Sequence, residues 1–491
     1  MTHLPRSSGL LLHVSSLPGG YGIGDLGPEA WRFAEACAAA GQTYWQILPI
    51  CPTGFGYSPY ASPASFAGSP ELISPDLLVA EGLLKPEDLA QTPRWEPDQV
   101  NYRRIIPFKR ELLQQAWQRF PKHGDTDALQ AFALTEDYWL RDHAAFCVTK
   151  EANLGKPWPE WSVAVEYWPP ESLLSGPQGY FVFEQFMFMQ QWRRLHDRCR
   201  QLGVFIIGDL PIYVAHDSSD VWGMQDQFQL DSNGRPTVVA GVPPDFFSRT
   251  GQRWGNPIYD WERMAADGYR WWVKRLRRAL DLFDIVRLDH FRGFAGYWEI
   301  PAAQPTAEVG RWVKGPGAAL LESMQNALGP LPLIAEDLGV VTPDVPVLME
   351  QFGLRGMVVL QFGFDSGTEN PHLPHNHSQH LVAYTGTHDN DTLVGWWHTL
   401  PGWQRDFARE YLGLQDDAQL CAAAINRVLA SSADLVITPV QDVLGLNSLA
   451  RMNTPGTVGG NWAWRLTREQ LRALQQSAGR QVRQWTLETG R

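Results

Sequence analysis

The chain has 491 residues, 44% apolar and 19% charged, which is enough material for a sizeable core and too apolar for global disorder. Its formal charge of -12 argues against phosphate backbones and anionic membranes as partners, because both call for clustered basic surface. Length alone leaves open two or three ordinary domains or one large core carrying insertions.

Short apolar runs bounded by Gly, Pro or polar turns predict eight buried strands. In chain order these are GLLLHV (9 to 14), YWQILPI (44 to 50), GVFIIGDL (203 to 210) and DIVRLDHF (284 to 291), followed by LPLIAEDL (331 to 338), GMVVLQFGF (356 to 364), LVAYTGTH (381 to 388) and DLVITPV (434 to 440). Amphipathic stretches at 28 to 41, 269 to 283, 318 to 329 and 418 to 432 predict helices between them, the first with Pro28 at its start and Gly41 at its end. Strands alternating with helices point to an α/β fold, a (β/α)8 TIM barrel, as one catalytic domain over 1–491. The uneven spacing locates two insertions on the C-terminal face of the strands, a mainly helical one at 52–202 after strand 2 and another at 211–268 after strand 3. Within the second, Asn233-Gly234 between alternating residues predicts a tight hairpin.

Several apolar runs end in a carboxylate, and acids at the carboxyl ends of separate barrel strands meet over one cleft. Asp289, Glu336 and Asp389 are therefore the candidate catalytic residues. Side chains alternate along a strand, so Arg287 shares a face with Asp289 and favours its ionised form, as a nucleophile requires. Like charges nearby would raise the pKa of Glu336 toward the range of an acid/base at neutral pH. Asp389, beside His388, fits the stabilisation of an oxocarbenium-like transition state. The 22 Trp, 14 Tyr and 22 Phe suit sugar-ring faces, although most aromatic residues in any fold belong to the core.

The segments GDLPIYV (208 to 214), RLDHFRGF (287 to 294), AEDLG (335 to 339) and TGTHDN (385 to 390) resemble the four sequence regions of the α-amylase clan. Together with GYSPYASPASFAGSPELI (56 to 73), PPDFFSRTGQRWGNPIYDW (243 to 261) and ARMNTPGTVGGNWAWR (450 to 465), the chain resembles the amylomaltases, or 4-α-glucanotransferases, over nearly its whole length. The resemblance implies Asp289 as nucleophile, Glu336 as acid/base and Asp389 as transition-state stabiliser, with Asp209, Arg287 and His388 in support. It further implies Tyr60 stacked under the sugar with Ser58 nearby, a lid carrying Phe246 and Phe247 ahead of Gln252 and Trp254, and sugar contacts from Asp365 and Asn461. Such enzymes are retaining and use no metal or organic cofactor.

Weaker signals point elsewhere. GIGDLG (22 to 27) spells a dinucleotide fingerprint, but Asp25 would oppose a pyrophosphate and the next strand ends without a ribose-binding acid. His372, His375, His377 and His380 lie among prolines and read as a solvated loop, not a zinc site. Arg270, Lys274, Arg275, Arg277 and Arg278 read as the solvent side of a barrel helix. Cys37, Cys51, Cys147, Cys199 and Cys421 are scattered and read as buried reduced thiols. The amino-terminal apolar run is too short for a signal peptide, and no stretch has spanning length, so the expected location is cytoplasmic.

The expected activity is transfer of α-1,4-glucan segments from a malto-oligosaccharide, starch or glycogen-derived donor to the 4-hydroxyl of another glucan or glucose, with minor hydrolysis and cyclic glucans as side products. No nucleic acid or membrane partner is expected, and the protein is expected to be a monomer or weak homodimer. The competing readings are an α-glucan hydrolase, which uses the same acids, and a non-catalytic glucan-binding barrel.

Overall fold

The computed structural model describes residues 5–163, 176–244, 248–339 and 342–491. Among the described residues twelve strands form two sheets. In chain order they are β1 (Ser7–Leu11), β2 (Tyr44–Gln46), β3 (Phe205–Leu210), β4 (Val238–Val242), β5 (Gln252–Pro257), β6 (Ile285–Leu288), β7 (Gly296–Pro301), β8 (Arg311–Lys314), β9 (Leu333–Ala335), β10 (Gly356–Val359), β11 (Leu381–Tyr384) and β12 (Leu435–Pro439).

The larger sheet has eight parallel strands in the order β10-β11-β12-β1-β2-β3-β6-β9. A parallel bridge from Ile334 to Arg355, with the Ala335 amide donating to the Arg355 carbonyl at 2.8 Å, joins β9 to β10 and closes the ring. Each barrel strand falls within or overlaps one of the eight apolar runs, and the closed parallel ring is the (β/α)8 barrel that their alternation with helices predicts. Strands buried on both faces need apolar side chains at nearly every position, which is why the runs are continuous. The four expected helices form as Pro28–Ala39, Arg270–Leu282, Ala318–Leu328 and Leu420–Leu429.

Between β2 and β3 the chain is largely helical, including Tyr102–His123, Thr126–Thr135, Asp137–Ala152 and Gln178–Gln201. The last of these is buried along most of its length, and two of its glutamines act as backbone mimics. Gln185 accepts from the Gly68 amide at 2.7 Å and donates to the Gly68 carbonyl at 3.0 Å, and Gln191 pairs with Ser74 in the same way. These pairs satisfy loop backbone that the core would otherwise strand.

The smaller sheet is antiparallel, in the order β5-β4-β7-β8, and its strands leave the barrel after β3 and β6. The expected hairpin precedes β4. Leu230 bridges Pro236, Asp231 donates to the Arg235 carbonyl, and Gly234 turns the chain at φ 73°.

Two surface expectations need correction. Arg275 and Arg278 are buried, at 2% and 3% exposure, because both insertions cover that side of the helix, with Ile212 and Tyr259 bonded to Arg275 and Phe66 and Glu136 to Arg278. Arg275 lies over the Trp271 and Trp272 rings, while Arg278 lies over Trp139 and pairs with Glu136 at 3.4 Å. The histidine loop is also only partly solvated, since His377 is buried and bonded to the His372 carbonyl at 3.1 Å.

Candidate active site

Four acids stand on the loop-bearing face of the barrel. Asp209 is the second-last residue of β3, Asp289 and Glu336 directly follow β6 and β9, and Asp389 lies in the loop beyond β11. Backbone hydrogen bonds carry the sheet ladder past the strand ends. The Asp289 amide donates to Leu210 and the Glu336 amide to Leu288, both at 3.0 Å, so the two acids sit on neighbouring rungs.

The centre of the site is Arg287, whose Nη1 reaches both oxygens of Asp209, at 2.9 and 2.7 Å, and Oδ1 of Asp289 at 2.9 Å. Burial works against its charge, but Asp209 and Asp289 outweigh it and hold the guanidinium protonated. Tyr60 donates its hydroxyl to Asp209 Oδ2 at 2.8 Å, and its ring stacks on His388 with centroids 5.1 Å apart. Burial, then the Asp209 charge, pushes the Tyr60 phenol well above its ordinary range. Burial likewise raises the Asp209 carboxyl, against the pull of Arg287.

Among the described residues no cation lies on the oxygens of Glu336. Oε2 accepts from the His290 amide at 2.8 Å and Oε1 from the Leu338 amide at 3.0 Å. Burial first, and the Asp289 charge after it, raise its pKa from 4.5 to about 7, with Arg287 and the two amides opposing. The raised value matches the sequence expectation, but its main cause is desolvation and not like charge. His290 adopts φ 50°, a left-handed conformation that costs energy outside glycine and that accompanies the donation of its amide to Glu336.

Asp389 accepts from the Asn453 side-chain amide at 2.6 Å and lies 3.2 Å from His388 Nε2, both through Oδ1. Asn453 and Arg451, which donates to the Asp389 backbone carbonyl at 2.7 Å, escaped the sequence reading as individual residues. Their segment carried the resemblance, but nothing in its spacing marks a contact with a loop more than sixty positions earlier.

Of the remaining candidates, Ser58 caps a turn by accepting from the Tyr60 amide at 3.2 Å. Trp254 packs edge-on to His290 at 4.8 Å, and its indole donates to Gln252 at 3.2 Å. Asp365 accepts from Asn370 at 2.9 Å on the exposed loop after β10, and no described contact ties it to the acids. Asn461 bonds within its own loop, to the Thr454 amide and to Thr457. Phe246 and Phe247 lie outside the described residues.

The fingerprint-like GIGDLG is a packing turn. A Cβ on Gly24 would come within 2.0 Å of the Val14 carbonyl, and Asp25 accepts from the Gly27 amide at 2.9 Å, where a phosphate would have to bind. Among the described residues no group of His, Cys, Asp and Glu is arranged to hold a metal ion, and no helix is long and apolar enough to cross a membrane. All five cysteines are free, with Cys37 and Cys199 buried and the others partly so.

Comparison with known proteins places the chain in a family. Residues 12–471 match the family model described as 4-alpha-glucanotransferase. The 4-alpha-glucanotransferase of Thermus thermophilus is 47% identical over 479 residues, covering 94% of this chain and 95% of that protein. The chloroplastic/amyloplastic 4-alpha-glucanotransferase of Solanum tuberosum is 44% identical over 475 residues, covering 94% of this chain and 82% of its own length. Among solved structures, the amylomaltase from Streptococcus agalactiae in complex with acarbose aligns with a TM-score of 0.94 at 36% identity over 99% of both chains. With its barrel and nearly its whole length matched in this way, the chain belongs to the 4-alpha-glucanotransferase family.

Proposed function

We propose that the enzyme moves α-1,4-glucan segments from a malto-oligosaccharide donor to the 4-hydroxyl of another glucan or glucose by a retaining double displacement on Asp289, Glu336 and Asp389. Asp289 attacks the anomeric carbon while Glu336 gives its proton to the departing 4-oxygen, leaving a glycosyl ester on Asp289. The acceptor 4-hydroxyl then loses its proton to the Glu336 carboxylate and attacks the same carbon, freeing Asp289 with net retention. Asp389 holds the sugar hydroxyls as positive charge develops on the ring.

The observation that supports this division of labour is the placement of Arg287, bonded to Asp209 and Asp289 but to neither oxygen of Glu336. A carboxylate beside the cation suits the nucleophile, and a carboxyl with a pKa of about 7 suits a group that gives and takes a proton near neutrality. Transfer in preference to hydrolysis requires that the ester meet a sugar before water, which is present at about 55 M. Phe246 and Phe247 would supply that shielding as a lid.

The test is incubation of purified protein with maltotriose, following the oligosaccharide ladder and the total reducing ends. The reading expects longer and shorter products with released glucose at constant reducing ends; rising reducing ends would make the enzyme a hydrolase. Asp289→Ala should abolish both reactions, and Glu336→Gln with a glycosyl fluoride donor should accumulate a covalent adduct on Asp289 detectable by mass spectrometry.

A further inference from the structure

We infer that Asn453 is a positioning residue for Asp389, holding one carboxylate oxygen so that the other meets the sugar; this rests on the reading of Asp389 given above. Asp389 needs such a hold. It sits beyond the end of β11 on a loop, and its side chain is 44% exposed, so the sheet does not fix its orientation. A carboxylate that swings loses the preorganisation on which transition-state stabilisation depends.

The protein supplies the hold from a distant segment. Asn453 Nδ2 donates to Asp389 Oδ1 at 2.6 Å, and His388 Nε2 approaches the same oxygen at 3.2 Å. Oδ2 has no protein partner among the described residues, which leaves it for a hydroxyl of the substrate. The backbone is tied in parallel. The Asn453 amide donates to the His388 carbonyl at 3.1 Å, Arg451 Nη2 to the Asp389 carbonyl at 2.7 Å, and Arg451 Nε to the Asn453 carbonyl at 2.8 Å. These bonds set the register of 451–453 against 388–389 and bring the Asn453 side chain within reach of Asp389.

The loop that follows is closed at its base. Thr454 donates to Asn461 Oδ1 at 3.0 Å and the Trp462 amide to the Met452 carbonyl at 2.7 Å, while the Trp462 ring lies against Tyr60 and His388 at 5.6 and 5.9 Å. Asn461 is therefore one of the contacts that close the loop following Asn453.

The experiment compares wild type, Asn453→Ala and Asn453→Asp for kcat and KM in maltotriose disproportionation, with acarbose affinity by calorimetry. Asn453→Ala should lower kcat about 10- to 100-fold with KM within about twofold, and acarbose affinity should fall in step with kcat/KM. Asn453→Asp keeps the size but sets a second carboxylate against Asp389. At pH 8 it should be slower than Asn453→Ala, and at pH 5.5, where the two acids share a proton, it should recover relative to wild type at the same pH. The comparison with wild type cancels the charged and titratable groups common to all three proteins around Asp389. These are His388, Tyr60 and Arg451 beside it, and Asp209, Arg287 and Asp289 across the site.

If Asn453 only filled space, Asn453→Asp would be the milder change at every pH, and that result overturns the inference. So does unchanged kcat in Asn453→Ala, or a raised KM at constant kcat, which would make Asn453 a simple sugar contact. Should the alanine variant fail to fold, the aspartate comparison still decides. A wild type that does not disproportionate maltotriose overturns the functional reading, and the inference with it.

Discussion

Replacing Glu336 by Gln should stabilise the protein at alkaline pH relative to wild type, because the active site holds this carboxyl away from its preferred ionised state. In the unfolded chain Glu336 ionises near 4.5, and in the fold near about 7. Below pH 4.5 both states hold the proton and there is no penalty. Between the two values the unfolded chain gives up its proton and the fold does not, so wild-type stability falls as pH rises, and above about 7 the loss is complete. At about 1.4 kcal/mol for each tenfold change in proton affinity, the full cost is about 3 kcal/mol. Gln carries no such cost. It does turn an NH2 group toward either the His290 or the Leu338 amide, a penalty that is the same at every pH and cancels in the comparison. Between pH 5 and 8.5 the gap between variant and wild type should move in favour of the variant by about 2 to 3 kcal/mol. With an unfolding entropy of about 2.1 cal/mol/K per residue, a chain of this length shifts its melting temperature by about 2 to 3 °C for that energy. Calorimetric melts of both proteins at the two pH values read it directly. A gap that does not change with pH would refute the argument that burial keeps the proton on Glu336. The catalytic counterpart is a wild-type kcat/KM that falls about tenfold per pH unit above about 7 as the acid is lost.

Two further outcomes follow from buried charge. Arg287→Met leaves Asp209 and Asp289 facing each other without their shared cation, so it should cost about 3 to 5 kcal/mol at pH 8 and visibly less at pH 5, where a carboxyl takes a proton; melts at the two pH values check the sign. Asp442→Ala removes the acceptor of both the Thr385 hydroxyl at 2.6 Å and the Leu393 amide at 2.8 Å, which flank the segment carrying His388 and Asp389. It should cost about 1 to 3 kcal/mol and lower kcat, measured by melting and by maltotriose turnover, although Asp442 touches none of the acids proposed to act on the substrate.

The barrel was readable because closure buries each strand on both faces, and burial on both faces demands apolar runs that stand out against turns. The smaller sheet was not. Strands such as Arg311–Lys314 are largely exposed and carry no apolar run, and only the hairpin before β4 left a local signal, through Asn233-Gly234. Arg275 and Arg278 misled for a related reason. Their helix taken alone presents a basic face, and the packing of Phe66, Glu136 and Trp139 on Arg278 and of Ile212 and Tyr259 on Arg275 shows that the face is covered. The acids were legible where strand ends carry them. The Asn453 contact was not, because a hydrogen bond between two loops leaves no periodicity to detect.

What the sequence motifs do not convey is why chemically similar acids should do different work. Asp209, Asp289 and Glu336 come from adjacent strands and gather around one buried guanidinium. Burial raises the carboxyls of both Asp209 and Glu336, and Arg287 opposes it in each. The hydrogen bonds to the three acids differ. Asp209 receives Arg287 through both oxygens and Tyr60 besides, and Asp289 receives Arg287 directly, whereas Glu336 receives two neutral backbone amides. Arg287 lies on β6 two residues before Asp289, and its reach to Asp209 across the β3–β6 pairing commits it to that side of the site. The pairing of Arg287 with Asp209 and Asp289, and not with Glu336, is therefore a consequence of strand register.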